Sequence, residues 1–332
     1  MQVSGGVGHG QGFDDPVARA LVEALREAAG ERLIAVLLFG SRLVGAAPGR
    51  HSAYDLVVVT DDYRSFYERL HETGHHGRGP RLMTALSRVL APNLVAFEPG
   101  LPGGEIAKMM VLTPADLARA LSGRARDHFL KGRLVQKVLV LHARTPDLRS
   151  DVERLLADAR ADVLRWTGPW LEGPFTTEEL VRRMLEVSYA AEIRPEAAGR
   201  VEAVFEAQRK DLVPAYEEVL CRAAREGVVE RRGRGWQLPR RPAGLERLRW
   251  RLYFLRSKLR ATSRWLKHVV TFDDWLTYIQ RKVERRTGMR VEVTPMERKL
   301  PLVLLWPKAI RVLRELRRQG TADEAREPRD GR

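Results

Sequence analysis

The residues best suited to do chemistry lie between positions 33 and 59. An apolar run, Leu33 to Phe39, ends in Gly40-Ser41, and after a Gly/Ala/Pro-rich loop Asp55 opens a second run, Leu56 to Val59. Glycine lets backbone approach a phosphate closely, and the amides around it can point at the anion. An acid beside a strand as apolar as Leu56-Val57-Val58-Val59 is costly unless a cation is near. Gly40 and Ser41 are therefore candidate phosphate-binding residues, and Asp55 is a candidate ligand for a divalent metal.

A Gly-Ser turn gripping a triphosphate, with carboxylates at the start of the next strand, is the outline of a nucleotidyltransferase core. Such cores usually carry two acids two residues apart, and the first would fall at Ala53. Asp61 and Asp62 leave the strand at its far end and read as turn or helix-capping acids. Lys108 is the one charge in Ile106 to Val111. Pointing inward it can neutralise phosphate, and pointing outward it protects a sheet edge. Arg133, in Lys131-Gly132-Arg133-Leu134, has the same two readings. His71, His75 and His76 lack zinc spacing and further ligands, so His75-His76 reads as loop. The lone Cys221 excludes an intramolecular disulfide and a cysteine-rich zinc site, which fits a reducing cytoplasm.

These residues need a scaffold, and the pattern predicts one of α/β class. A helix over Pro16 to Ala29 stops at Gly30. Two strands flank the Gly-Ser turn and its loop, helices follow near Tyr63 to Leu70 and Arg81 to Leu90, and further strands span Leu94 to Phe97 and Ile106 to Leu112. Thr113-Pro114 starts another helix. From Thr145 the spacing is helical, over Asp147 to Trp166, Thr177 to Ala190 and Ala198 to Arg225, with a capping box at Thr176 and Glu179. A hairpin then pairs Val228-Val229 with Trp236 to Leu238 across the polar turn Glu230 to Gly235, as in a winged helix. The expected domains are a nucleotidyltransferase-like domain over 16–145, a mostly helical winged-helix-like domain over 146–240, a basic amphipathic region over 241–318 and a disordered tail over 321–332.

Composition bounds the partners. The net charge is +15 with a pI near 10.4, and 13 Lys/Arg face one acid, Glu246, between Arg231 and Val270. That excess calls for a polyanion, either nucleic acid or an acidic membrane. Leu245, Leu248, Leu252, Leu255, Leu259 and Leu266 form one helical stripe among arginines, with Trp250, Phe254 and Trp265 interleaved. Such a helix suits an anionic interface. Packing against a core, with the basic side outward, is the competing reading, and an Arg/Trp stretch after a winged helix also suits nucleic acid. The Gly-rich Met1 to Pro16 has no features of a secretory or transit signal, and no apolar run has spanning length.

In the order of its segments the chain resembles the mitochondrial-type CDP-diacylglycerol synthases, the translocator assembly and maintenance proteins, and their bacterial relatives. The likeness runs from about Phe39 to Leu238. It rests on Phe39-Gly40-Ser41, Tyr54 to Asp62, Leu90-Ala91-Pro92, Lys108, Leu130 to Leu134, Phe175 to Leu180 and Ser188 to Arg194. Met83-Thr84-Ala85 departs from the family's His-Tyr-Ser, and Gly100 to Glu105 is shorter than its glycine-rich insertion. The resemblance implies a phosphatidate cytidylyltransferase: CTP and phosphatidic acid give CDP-diacylglycerol and pyrophosphate, with Mg²⁺. It implies that Asp55 holds the metal and Gly40 and Ser41 bind the CTP phosphates. Lys108 and Arg133 would meet the triphosphate or lipid phosphate, and Glu192 and Arg194 would close the site. The enzyme would sit in the cytoplasm, peripherally on the inner face of a bacterial cell membrane. The competing readings are a nucleotidyltransferase with another acceptor (RNA, protein or a small alcohol), or a catalytically silent one joined to a DNA-binding winged helix.

Overall fold

The computed structural model describes residues 13–45, 53–191, 199–239 and 244–271. Met1–Asp273 cluster as one unit and Asp274–Arg332 as a second, and every described residue belongs to the first. Glu192, Arg194, the basic region beyond position 271 and the 321–332 tail lie outside the described residues.

Asp15 accepts from the Val17 and Ala18 amides and starts α1 (Pro16–Ala29), whose buried face carries Leu21, Val22 and Leu25. β1 (Leu33–Phe39) is buried along its length and runs through Gly40 into α2 (Ser41–Val44), a single turn. After β2 (Tyr54–Thr60), Asp62 caps α3 (Tyr63–Glu72) by accepting from the Ser65 amide. Next come α4 (Pro80–Val89), β3 (Asn93–Phe97) and β4 (Ala107–Leu112). Thr113 caps α5 (Pro114–Leu121), with Pro114 where a missing amide costs nothing. The single turn α6 (Lys131–Leu134) leads to β5 (Leu139–Ala143), a strand the sequence pattern does not predict.

The rest is mostly helical: α7 (Pro146–Ala161), α8 (Val163–Thr167), α9 (Thr177–Ala190) and α10 (Arg200–Arg225). The helix expected over Asp147 to Trp166 breaks at Asp162, whose carboxylate turns to Lys131 instead. Both arms of the Thr176/Glu179 capping box form. The hairpin consists of β6 (Glu230–Arg232) and β7 (Gly235–Gln237), so its turn is shorter and later than expected. Val229 does not pair; it is buried and closes the core. Trp236 exchanges backbone hydrogen bonds with Phe175, just ahead of α9, at 2.7 and 2.8 Å. Last comes α11 (Gly244–Thr271).

The fold is α/β, around one mixed sheet ordered β3-β4-β2-β1-β5. β2 and β4 are parallel and the other neighbours antiparallel. Strand side chains alternate between faces. Val36, Leu38, Leu56, Val58, Met109 and Val111 meet α1 and α3 on one face. Leu37, Phe39, Val57, Val59, Met110 and Leu112 join a cluster on the other that continues through α7, α9 and α10 to Trp236. The sheet and the helical segment thus share one core. Among the described residues no helix is long and apolar enough to cross a membrane.

α11 docks in an unusual sense, with polar groups inward. Asp127 accepts from Arg260 Nε at 2.9 Å and from Arg264 at 3.0 Å. Arg264 also donates to Ala91 O, Lys267 to Leu90 O and Pro92 O, and Thr271 to Leu94 O. Three of those carbonyls belong to the connection from α4 into edge strand β3 and one, Leu94, to the strand itself, so α11 covers the entry of that edge. Ser257 Oγ accepts from the His128 amide. The His128 ring meets Trp166 and Phe254 edge-on at 4.5 and 5.2 Å.

His128 generates a pH prediction. Burial, aided by the Lys131 charge and by Arg133 against a smaller opposing effect of Asp127, pushes its imidazole down from 6.5 to about 3. Between those values the unfolded chain binds a proton that the folded chain refuses, so stability is lost as pH falls. Urea unfolding should show a decrease of roughly 2 kcal/mol from this residue between pH 7 and pH 5. His128→Gln should flatten that slope, and an unchanged slope would mean that His128 is protonated in the fold.

Candidate functional site

Four of the expected site residues, Gly40, Ser41, Asp55 and Lys108, come together at one end of the sheet. Asp55, second in β2, stands in register with Phe39 of β1 on one side and Lys108 of β4 on the other. Phe39 is the last residue of its strand, so the chain turns at Gly40 directly beside Asp55. Gly40 has φ +82° and ψ −165°, a combination open essentially to glycine alone. A Cβ there would stand 2.7 Å from Asp55 Oδ2. The glycine is thus needed twice, for the turn and for the approach of the carboxylate. Ser41 follows as the first residue of α2, whose opening amides need acceptors from outside the helix.

Lys108 lies on an inner strand, with Ala96 of β3 in register on its far side. Its edge-protecting reading is therefore excluded. In-register residues of neighbouring strands share a face at about 4.8 Å spacing, so Asp55 and Lys108 project together from the face that carries Val57 and Met110. Both are half-buried. Opposite charges in this relation support each other.

The remaining candidates are placed elsewhere. Arg133, on α6, donates to Phe129 O at 2.6 Å and lies 4.2 Å above the Phe129 ring, which Arg264 of α11 covers at 4.5 Å. Asp61 pairs with Arg32 at 3.3 Å and Asp62 caps α3, so both serve structure at the opposite end of β2. Hydrogen bonding by the Ser65 amide holds the Asp62 carboxyl below the usual carboxylate range. Ala53 is buried, so an acid there would be desolvated two residues from Asp55.

Sequence reasoning missed the support beneath this turn. Tyr54, whose neighbour in the chain is Asp55, points to the other face and donates to Asp15 Oδ2 at 2.8 Å. Arg42 lies 4.9 Å over its ring. Burial, then the hydrogen bond to Asp15, pushes the Tyr54 hydroxyl up to about 12, so it stays a neutral donor. Asp15-Pro16 is a helix-start signature that could have flagged the acid, but nothing local reveals a tyrosine 39 residues later as its partner.

The donor set bears on the implied metal. Among the described residues there is no group of three His, Cys, Asp or Glu side chains that could hold an ion. Asp55 is a single carboxylate next to a cationic side chain and an open turn. That set fits Mg²⁺ in its nucleotide-bound form, where one or two carboxylates and the substrate phosphates share the ion, and it does not fit an all-protein cage.

No protein-family model matches the chain, and no curated protein matches it significantly.

Gly40 can be tested without an assay. Gly40→Ala should cost roughly 2 kcal/mol through backbone strain and displacement of Asp55. Thermal melting of a double-mutant cycle should show a smaller cost in an Asp55→Ala background, because the steric partner is gone. Strict additivity would show that the carboxylate does not occupy the space over Gly40.

Proposed function

We propose that this chain is a nucleotidyltransferase with phosphatidate as acceptor, forming CDP-diacylglycerol and pyrophosphate from CTP at a membrane surface. The observation that carries the reading is Asp55: a carboxylate entering an inner strand, against a side-chain-free turn and in register with a lysine. Gly40 and Ser41 bind the triphosphate through backbone amides, and Asp55 faces its metal. Asp55 would hold Mg²⁺, which when bound would supply neutralisation of the charge that collects on the leaving pyrophosphate. Lys108 adds a fixed positive charge beside it.

The acceptor needs little activation. A phosphate monoester has a second pKa of about 6, so at neutral pH its oxygen attacks without a strong protein base. A P–O bond forms between that oxygen and the α-phosphorus, the α–β P–O bond breaks, and pyrophosphate leaves with the electron pair. The chain's task is therefore positioning and charge compensation, which the turn, Asp55 and Lys108 suit. Arg133, on α6, is read as meeting the triphosphate or the lipid phosphate. The segment from Phe175 through α9 and α10 to the β6–β7 hairpin is read as winged-helix-like, supported by the pairing of Phe175 with Trp236.

The membrane part of the reading is supported by α11. Leu245, Leu248, Leu252, Leu255 and Leu259 are 53–83% exposed. Two of the aromatic residues expected beside them turn the other way: Trp250 and Phe254 pack on the core, and Trp250 lies 5.3 Å from Tyr253, while the Trp265 and Leu266 side chains lie outside those described. The core-packing alternative is thus reversed, since polar and aromatic groups face inward and the leucines face out among Arg251, Arg256 and Lys258. An apolar stripe with a basic border fits the interface of an anionic bilayer, as expected for a cytoplasmic protein held peripherally on the inner face of the membrane.

Incubation with phosphatidate vesicles, Mg²⁺ and each of the four nucleoside triphosphates should give CDP-diacylglycerol and pyrophosphate with CTP. Asp55→Asn and Lys108→Met should each lower turnover by about two to three orders of magnitude. Product from none of the four, with folded protein bound to vesicles, would refute the reading, whereas nucleotide transfer to RNA or protein would move the acceptor and keep the site.

Flotation tests the surface separately. Leu252→Ser with Leu255→Ser should release the chain from phosphatidylglycerol vesicles, while Trp250→Leu should have a much smaller effect. Retained binding of the leucine variant, or equal binding to duplex DNA that ignores it, would point to a purely electrostatic polyanion site.

A further inference from the structure

A second concentration of positive charge lies where the loop after α5 meets α8 and the first half of α11. There a cavity of about 190 Å³ opens, several times the ~30 Å³ share of one water molecule. Arg124, Lys131, Arg165 and Arg249 line it, against one acid, Asp162. Trp166, Trp250, Tyr253 and His128 supply aromatic walls.

Lys131 is only 3% exposed, and its ammonium donates to Asp162 Oδ2 at 2.7 Å and Ser122 O at 2.8 Å. An ammonium has three donors, so one remains. Asp162 is committed to Lys131 and, at 3.6 Å, to Arg165. Among the described residues Arg124 and Arg249 have no acidic partner, and both are exposed at the mouth. Trp166 Nε1 and His128 Nδ1 are buried without a hydrogen-bond partner. Buried polar atoms without a partner are rare in native proteins, and the Trp166 indole N–H in particular calls for an acceptor.

The Arg165 guanidinium lies across the loop over Gly123. On its other side Arg165 meets the Trp250 ring at 5.9 Å, which links the loop to α11.

We propose that this cavity binds a phosphate monoester, as a second anion site apart from Gly40, Asp55 and Lys108. The charge count favours that class. Four cations against one acid leave an excess that a carboxylate with its single charge does not balance, whereas a monoester carries about −1.5 to −2 and three acceptor oxygens. Guanidinium forks match those oxygens two at a time. The monoester can be a free phosphate compound or the headgroup of a lipid in a bilayer, and the chemistry of recognition is the same.

Calorimetric titration of the full chain with inorganic phosphate, and flotation with phosphatidylcholine vesicles containing phosphatidate or phosphatidylglycerol at equal charge, separate the two sources. The test variant is Arg165→Ala with Arg249→Ala. Its control is Arg81→Ala with Arg88→Ala, exposed α4 cations outside the cavity and away from α11. Phosphate affinity lowered at least about tenfold in the test variant, and unchanged in the control and in Asp55→Asn, supports a free ligand. No phosphate binding, with a phosphatidate preference that only the test variant loses, supports a headgroup. Equal losses in both variants, or no effect on either probe, overturn the proposal. The Asp55→Asn arm keeps this result independent of the nucleotidyltransferase reading, and melting curves verify that the variants fold.

Discussion

A carboxylate at the mouth of a buried inner strand persists only where solvent, positive charge or open backbone replaces the hydration it loses. Asp55 has the last two. Gly40 leaves room for its oxygen, and Lys108 stands in register on the neighbouring strand. Both depend on one feature of topology, the insertion of β2 between β1 and β4. An antiparallel neighbour brings the end of β1 to Asp55, and a parallel neighbour brings the start of β4 there. Had β4 paired at the other side of the sheet, the same residues would lie at separate places. The hydrophobic faces above and below fix this register, because a slip by one residue would send Val57 and Val59 to the opposite layer.

The second constraint is the exposed edge at β3. The carbonyls of Leu90, Ala91 and Pro92, which lead into it, and of Leu94 within it are met by Arg264, Lys267 and Thr271. Burial, with Arg264 and Arg260 adding to it, pushes the Lys267 ammonium down to about 7. The folded state therefore gains from this group as pH rises above that value towards the ordinary lysine range, where the unfolded chain still holds the proton. α11 must turn its donors inward to serve the edge, and its leucines are left outward as a result. A helix that packed by its leucine stripe would hide an apolar surface but leave the β3 carbonyls without donors.

Much of the sheet was legible in the residues. β1, β2 and β4 announce themselves as continuous apolar runs, α1 by its apolar spacing, and α5 and α9 by caps whose hydrogen bonds form as the pattern predicts. Strand order is not local information, so Lys108 could not be assigned to an inner strand from Ile106 to Val111 alone. β5 escaped because Leu139 to Ala143 is short and contains His142, and its strand character comes from pairing with β1. α11 misled for a physical reason. Periodicity identifies an apolar stripe but not what the stripe faces, and here distant carbonyls and Asp127 decide the rotation of the helix. The hairpin shifted because Val229 gains more from the core than from a ladder position.

The two charged places in the fold are built differently. At Gly40 the missing side chain leaves room for the Asp55 carboxylate, and at the cavity beside α8 four cations face one acid. Arg249 at the cavity mouth directly follows Leu248 and precedes Leu252, two residues of the exposed stripe. A bilayer that engaged those leucines would meet the cavity cations on the same stretch of helix, where low dielectric strengthens their hold on a headgroup phosphate. The inward rotation that serves the β3 edge thus also decides which cations stand beside the apolar stripe, and with them the class of anion the surface can select.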